Sequence, residues 1–236
     1  MMYHKVIELI YPGRCPLCGD IVMPKGELAC PECKTKAPYI TEPKCVQCGK
    51  ALRHCEDEYC GDCSTQTHFF DKGLALFAYD DMVKHSIYRY KYENKREYAD
   101  FYAYEICRRL GEEMLSWKAD AIIPIPLHSS RQRVRGYNQA QLIAERVGRS
   151  LSIPVLSHYV YREKKTTAQK QLNHAERQNN LKKAFKIKQN DVKLDTVILL
   201  DDIYTTGSTI DAVAALLKNT GVRKVFFIAL SIGQGV

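Results

Sequence analysis

The sequence contains no apolar run that approaches the roughly 20 residues of a membrane-spanning helix. The apolar part of residues 1–12 is short and soon interrupted, so we expect no secretory signal. These two absences argue against membrane insertion and favour a cytoplasmic location by default. The hydroxyl-rich turn at residues 205–209 does not end in Gly-Lys-Ser or Gly-Lys-Thr, as a P-loop does. The sequence therefore gives no support for a P-loop ATPase.

The chain is long enough for one domain of ordinary size and a smaller module, at 236 residues with a normal apolar fraction of 45%. Its basic residues are concentrated. Residues 131–188 contain 14 Lys and Arg against 3 Asp and Glu, a balance of +11, whereas the whole chain carries +8. This distribution favours an anionic partner such as single-stranded DNA, whose backbone supplies most nonspecific affinity. A solvated basic face is the alternative.

Nine of the ten cysteines lie between residues 15 and 63. Eight of them form four Cys-x-x-Cys pairs that begin 15 residues apart: Cys15/Cys18, Cys30/Cys33, Cys45/Cys48 and Cys60/Cys63. Such a pair presents two thiolates to one tetrahedral metal ion, and a second pair completes the shell. A disulfide framework is the alternative, but it is typical of secreted chains. We therefore predict one or two structural zinc ions in a module of residues 1–70, which has too few large apolar residues to fold without metal.

The spacing leaves the pairing of the cysteines open. Neighbouring pairs can share an ion, first with second and third with fourth. A cross-braced arrangement, first with third and second with fourth, satisfies two ions equally well. Cys55 could also replace a member of the second set.

Residues 197–209 carry the strongest indication of a ligand site. Four branched apolar residues predict a buried parallel strand, and Asp201 and Asp202 follow it directly. A small, hydroxyl-rich turn then leads into a predicted helix at 210–218, which is typical of a phosphate site. Acids repel phosphate but accept hydrogen bonds from ribose hydroxyls. The segment therefore predicts a phosphoribosyl pocket, although an acid pair alone is more often a helix cap or a solvated turn.

A second apolar strand, at residues 121–126, runs into a basic loop that contains Arg131, Arg133 and Arg135. A helix is predicted at 138–151. Loops at the carboxyl ends of parallel strands meet in a ligand crevice, where arginines can donate forked hydrogen bonds to pyrophosphate. Arginines in surface loops are more often merely solvated.

The 197–209 segment resembles the 5-phosphoribosyl-1-pyrophosphate (PRPP) motif of type I phosphoribosyltransferases. The resemblance implies that Asp201 and Asp202 bind the ribose 2′- and 3′-hydroxyls. It implies that the 5-phosphate is held by the turn residues Thr205, Thr206, Gly207, Ser208 and Thr209. PRPP would arrive with Mg²⁺, held largely by the ligand's own oxygens and water.

A narrower resemblance rests on Pro-Ile-Pro-Leu-His at 124–128, Arg-Gly-Tyr-Asn-Gln at 135–139 and the cysteine-rich front end. These motifs are similar to the ComF family of competence-associated phosphoribosyltransferase-like proteins. The resemblance implies a zinc module before a type I domain, with a mobile loop within 161–188. Arg162, Lys164 and Lys165 are the cations of this tract best placed to meet developing pyrophosphate charge. It also implies DNA uptake during natural transformation, beside a DEAD-box-type DNA translocase.

We therefore predict an α/β protein of the type I phosphoribosyltransferase fold, with an all-cysteine zinc-ribbon module at 1–70 and a mostly parallel, doubly wound sheet within 71–236. Strands are predicted near 74–79, 121–125, 155–161, 196–200 and 224–231. Asp201, Asp202, Arg162 and Lys164 are the candidate catalytic residues, and Arg131, Arg135 and the turn are candidate PRPP ligands. A working transferase and a PRPP-binding protein without turnover both remain open, as does the acceptor.

Overall fold

A computed structural model of the protein describes residues 12–163, 184–188 and 192–233. Lys164 and most of the predicted mobile loop lie outside the described residues. Short helices occur in the cysteine-rich region, and strands and longer helices follow it. In chain order the elements are α1 (Pro31–Lys36), α2 (Gly61–Thr65), β1 (Lys72–Ala78), α3 (Asp81–Tyr92), α4 (Tyr98–Ser116), β2 (Ala121–Pro124), α5 (Ser129–Arg135), α6 (Gln139–Leu151), β3 (Val160–Arg162), β4 (Phe185–Ile187), β5 (Thr196–Tyr204), α7 (Ser208–Lys218) and β6 (Lys224–Ile232).

The central sheet has four parallel strands in the order β1–β6–β5–β2. The two central strands are the longest and the richest in branched and aromatic residues, as expected where both faces of a sheet are covered. Ile198 of β5 lies opposite Phe226 of β6 on one side and Ile122 of β2 on the other. The predicted α/β class with a parallel sheet is confirmed.

The strand predicted at residues 155–161 is only partly present, because of this range only residues 160 and 161 lie in a strand. Within the described part of the chain, this segment touches the sheet through a single bridge between Val155 and Ile122. The chain then turns, with the Tyr159 N–H donating to the Leu156 carbonyl. The polar residues 157 and 158 interrupt the apolar run, so β3 begins only at Val160 and pairs antiparallel with β4, apart from the main sheet.

Helices cover both faces of the sheet, which confirms the doubly wound arrangement. Leu74 and Leu76 of β1 belong to one buried cluster with apolar residues of α3, α4 and α6. Ala75, between them in sequence, belongs to the opposite cluster with residues of α7. This separation follows from the alternation of side chains along a strand. Each fully buried aliphatic side chain contributes about 1.5–3 kcal/mol.

The cysteine-rich region packs directly against this sheet. Between its two halves, the Ile40 N–H donates to the Leu76 carbonyl and the Ala78 N–H donates to the Pro38 carbonyl. The first cysteine group joins the cluster of α3 and α4, and the second joins the cluster of α7. The two halves therefore lie on opposite faces of the sheet. The domain boundary at residue 70 stays a prediction.

Within residues 12–163, 184–188 and 192–233, no helix has the length and apolar character needed to cross a membrane. The cytoplasmic location stays a prediction.

Candidate functional site

The eight paired cysteines form two clusters in the structure. The sulfur atoms of Cys15, Cys18, Cys30 and Cys33 lie within 4.8 Å of one another, and so do those of Cys45, Cys48, Cys60 and Cys63. In the structure, the first pair therefore shares a cluster with the second pair and the third with the fourth, so the arrangement is not cross-braced. Cys55 is exposed and lies outside both clusters.

Each cluster is built by the same local structure. A tight turn follows the first pair, and Gly19 and Gly49 occupy its left-handed positions, with φ of +88° and +74°. Such angles suit glycine because it has no Cβ. The second pair begins at the residue that precedes a short helix, Cys30 before α1 and Cys60 before α2. Four converging thiols without other ligand types fit structural zinc, and we assign one zinc site to each cluster.

The acid pair lies within β5, two residues before its last residue, Tyr204. Asp202 forms an ion pair with Lys91 of α3, with 2.9 Å between Nζ and Oδ1 and both side chains 13% exposed. The Asp202 N–H donates to Asp201 Oδ1 at 2.8 Å. Burial, and then the neighbouring Asp202 carboxylate, raise the pKa of Asp201 to about 7. One acid of the pair is therefore neutralised by a lysine, and the other exchanges its proton near neutral pH.

The turn after β5, residues 205–209, leads directly into α7. Gly207 precedes the helix with φ of +75°, and the Asp211 N–H donates to its carbonyl at 2.8 Å. Thr206 and Ser208 share a hydrogen bond of 2.7 Å between their hydroxyls. Glycine has no side chain with which to cap the first N–H groups of the helix, and a helix start favours an anion. This turn, which we call the phosphate turn, is therefore suited to a phosphate group.

The predicted basic loop is a helix, α5, instead of extended chain. Arg131 and Arg135 are four residues apart and therefore share one face of it. Arg135 donates to Tyr92 Oη and Gln139 Oε1, each at 3.0 Å. Arg133, two residues from each, points elsewhere. Helical spacing therefore selects the two outer arginines.

Arg162 connects these parts of the site. Burial lowers the pKa of the Arg162 guanidinium, and the positive charge of Arg131 lowers it further, whereas the charge of Asp201 opposes this effect. The guanidinium also lies 5.4 Å from the centre of the Phe185 ring in β4. The structure therefore brings Arg162, Arg131 and Asp201 close enough to interact electrostatically. Lys164, the other predicted cation, lies outside the described residues.

Two site residues were not predicted from the sequence. Lys91 neutralises Asp202, and Tyr92 accepts the hydrogen bond from Arg135. Both lie in the last turn of α3, more than 100 residues before the acid pair. The available signal was weak, since a basic residue near the end of a helix is expected for the helix dipole alone.

Comparisons with known proteins agree with this architecture. Residues 6–64 match the model of the double zinc ribbon domain, and residues 102–232 match that of the phosphoribosyl transferase domain. The chain is 34% identical to competence protein F of Haemophilus influenzae, over 90% of this chain and 93% of that protein. It is 28% identical to competence protein ComFC of Bacillus subtilis, over 83% and 80%. It is also 28% identical to DNA utilization protein YhgH of Escherichia coli K12, over 92% and 96%.

The first of these relatives matches nearly end to end, and the second domain model alone covers more than half of the chain. The protein belongs to the competence protein F family and joins a double zinc ribbon to a phosphoribosyl transferase domain.

Proposed function

We propose that the protein binds PRPP with Mg²⁺ and transfers its phosphoribosyl group to an acceptor, in the service of DNA uptake. One observation carries the proposal. Two acids lie near the carboxyl end of strand β5, and the phosphate turn at the start of α7 follows within the next few residues. Groups for a sugar and groups for its phosphate are thus fixed on one continuous segment.

The ribose would bind at the acid pair. A ribose hydroxyl donates a hydrogen bond to a carboxylate, and Asp201 and Asp202 supply adjacent acceptors. Lys91 holds the Asp202 carboxylate in place, since its ammonium lies 2.9 Å from Oδ1. The 5-phosphate would then bind the N–H groups of the phosphate turn.

The pyrophosphate would lie toward Arg131 and Arg162, with Lys164 as a further candidate. In the reaction, an acceptor nitrogen forms a bond to the anomeric carbon while the bond from that carbon to pyrophosphate oxygen breaks. Pyrophosphate leaves with the electron pair. Guanidinium groups stabilise this charge, and the acceptor's proton passes to Asp201, whose pKa of about 7 suits the transfer. Mg²⁺ supplies charge neutralisation at the phosphates when bound.

Calorimetry with PRPP and Mg²⁺ tests the binding step. We expect Asp202→Asn to weaken binding at least tenfold, because a hydrogen bond to a charged group is worth about 1.5–3 kcal/mol. Asp195→Asn is the matched control, since Asp195 precedes β5 at its other end and pairs with Arg223 there. Absence of PRPP binding by the wild-type protein would overturn the proposal.

Pyrophosphate release tests the chemical step. Incubation with PRPP, Mg²⁺ and a panel of nucleobases and amines should release pyrophosphate in proportion to enzyme with one acceptor class. Binding without release for every acceptor would favour the alternative, in which the protein uses PRPP only as a bound effector.

The DNA-uptake part of the proposal is supported by the similarity to competence protein F and DNA utilization protein YhgH, and by the charge of +11 within residues 131–188. We propose contact with incoming single-stranded DNA on the cytoplasmic side, beside a DEAD-box-type translocase. Binding of a labelled single strand should weaken steeply as salt increases, because phosphate contacts release counterions. An affinity that does not change with salt would contradict phosphate-driven contact.

A further inference from the structure

The second four-cysteine cluster, formed by Cys45, Cys48, Cys60 and Cys63, is connected to the phosphate turn by continuous contacts. We propose that Tyr204, His68 and Asp211 are positioning residues, through which zinc in this cluster holds the phosphate turn in its anion-binding conformation. The proposal rests on the proposed function for the identity of the anion. The coupling itself can be measured without any ligand.

Tyr204 forms the first connection. It is the last residue of β5, is 3% exposed, and belongs to the same buried cluster as Cys45, Cys48 and Cys60. Its ring stacks on Phe227 with 4.8 Å between centroids and meets Phe70 edge-on at 6.1 Å. The packed rings of Tyr204, Phe227 and Phe70 therefore connect the second cysteine cluster to the carboxyl end of β5.

The hydroxyl of Tyr204 also determines the shape of the phosphate turn. A Cβ on Gly207 would lie 2.4 Å from Tyr204 Oη, so the backbone of Gly207 passes directly beneath this hydroxyl. Gly207 has φ of +75°. A shift of the Tyr204 ring would therefore move the residue at which the turn enters α7.

Asp211, in the first turn of α7, forms the second connection. Its Oδ2 lies 2.7 Å from His68 Nδ1, and its Oδ1 accepts from the Phe69 N–H at 2.8 Å. The His68 side chain is 2% exposed and stacks on Phe70. Because His68 follows Cys63 by only five residues, the second zinc ribbon holds the start of α7 through a short segment that ends in a buried His68 side chain.

The ribbon fixes this segment from its other half as well. Gln47, between Cys45 and Cys48, donates through its side chain to the Phe70 carbonyl at 2.9 Å. Its own carbonyl accepts from the Gly73 N–H at 2.8 Å. Both halves of the second cluster thus hold Phe70, which touches His68 and Tyr204.

The first cluster makes different contacts and provides the control. It packs on the opposite face of the sheet, where Arg89 of α3 donates to the carbonyls of Pro16 and Leu17 at 3.0 and 2.9 Å. Loss of zinc there should loosen α3 and leave the phosphate turn unchanged.

Hydrogen–deuterium exchange on the full chain tests the coupling. Cys60→Ala and Cys30→Ala are matched, because each cysteine directly precedes the short helix of its ribbon. We expect Cys60→Ala to accelerate exchange in residues 204–211 at least tenfold and Cys30→Ala to affect α3 instead. Unchanged exchange at 204–211 in a Cys60→Ala protein that has lost one zinc would overturn the proposal, as would equal acceleration in both variants.

If Cys60→Ala does not fold, the more conservative variant Tyr204→Phe tests the same coupling. Tyr204→Phe keeps the ring stacks and removes only the hydroxyl above Gly207. We expect roughly fivefold faster exchange of the turn amides and a weaker affinity for inorganic pyrophosphate and PRPP. Tyr102→Phe, which loses the buried hydroxyl bonded to Ser86 Oγ at 2.6 Å, should leave the turn unchanged. Identical turn exchange in Tyr204→Phe and wild type would refute the positioning role, whereas absence of PRPP binding by the wild type would refute the proposed function alone.

Discussion

The charge state of Asp201 is expected to set the pH dependence of PRPP binding. Burial, and then the Asp202 carboxylate, raise the pKa of Asp201 to about 7. About nine-tenths of the molecules therefore carry an ionised Asp201 at pH 8 and about one-tenth at pH 6. Ribose hydroxyls bind the ionised carboxylate as donors, so the affinity should fall about tenfold from pH 8 to pH 6.

Calorimetry at several pH values, with constant ionic strength and saturating Mg²⁺, measures this change. The phosphates of PRPP also titrate in this range, and Asp201→Asn separates the two effects because its side chain does not ionise. We expect the variant to bind more weakly at pH 8 and to follow only the ligand's titration. The same pH profile in both proteins would refute the role of Asp201.

The raised pKa also predicts the effect of pH on stability. Because the folded-state pKa lies above the ordinary value of 3.8, the contribution of Asp201 to stability is complete below about pH 4 and is lost as pH rises through about 7. Ionised Asp201 then costs the folded protein at most about 4 kcal/mol. Asp201→Asn should therefore resist urea better than wild type at pH 8, with little difference at pH 4. Equal stability at pH 8 would contradict the burial of this carboxyl.

Three further changes test other parts of the structure. Lys91→Met should raise the pKa of Asp201 further, because the Lys91 ammonium lowers it, and carbon NMR of the carboxyl group measures the change. Gly207→Ala should lower the free energy of unfolding by about 2 kcal/mol or more. The reason is that the new Cβ would lie 2.4 Å from Tyr204 Oη and that φ at this position is +75°. Unchanged urea unfolding would show that the turn relaxes freely. A strong chelator should remove two zinc ions per chain and lower the melting temperature, as determined by metal analysis and calorimetry; a zinc-free protein with the original melting temperature would contradict a structural role.

Local patterns predicted most of the fold. The apolar runs of β2, β5 and β6 and the amphipathic repeat of α6 give unambiguous periods, and the structure places these elements at nearly the predicted positions. The Cys-x-x-Cys pairs likewise indicated metal, because thiolate chemistry and spacing suffice for that inference. The pairing of the cysteines could not be read from the sequence, because it depends on how each ribbon packs on a face of the sheet.

The missed parts of the site depend on contacts between distant segments. Lys91 meets Asp202 across more than 100 residues, and no local pattern distinguishes it from a lysine that ends a helix. The helical form of α5 was also missed, although it decides which arginines share a face. The strand predicted from Val155 was too long for another reason, because polar residues 157 and 158 interrupt the apolar run and Val160 pairs with β4, apart from the main sheet.

The backbone pairing of residues 38–40 with β1 affects how truncated versions of the protein would behave. β1 is the outermost strand of the sheet, and this short segment satisfies hydrogen-bonding groups along its free side. Removing the cysteine-rich region would expose those groups, and an uncovered edge strand promotes aggregation. If an isolated transferase domain were insoluble, the cause would therefore be the unprotected edge of β1. Single cysteine substitutions are the better means of studying the metal.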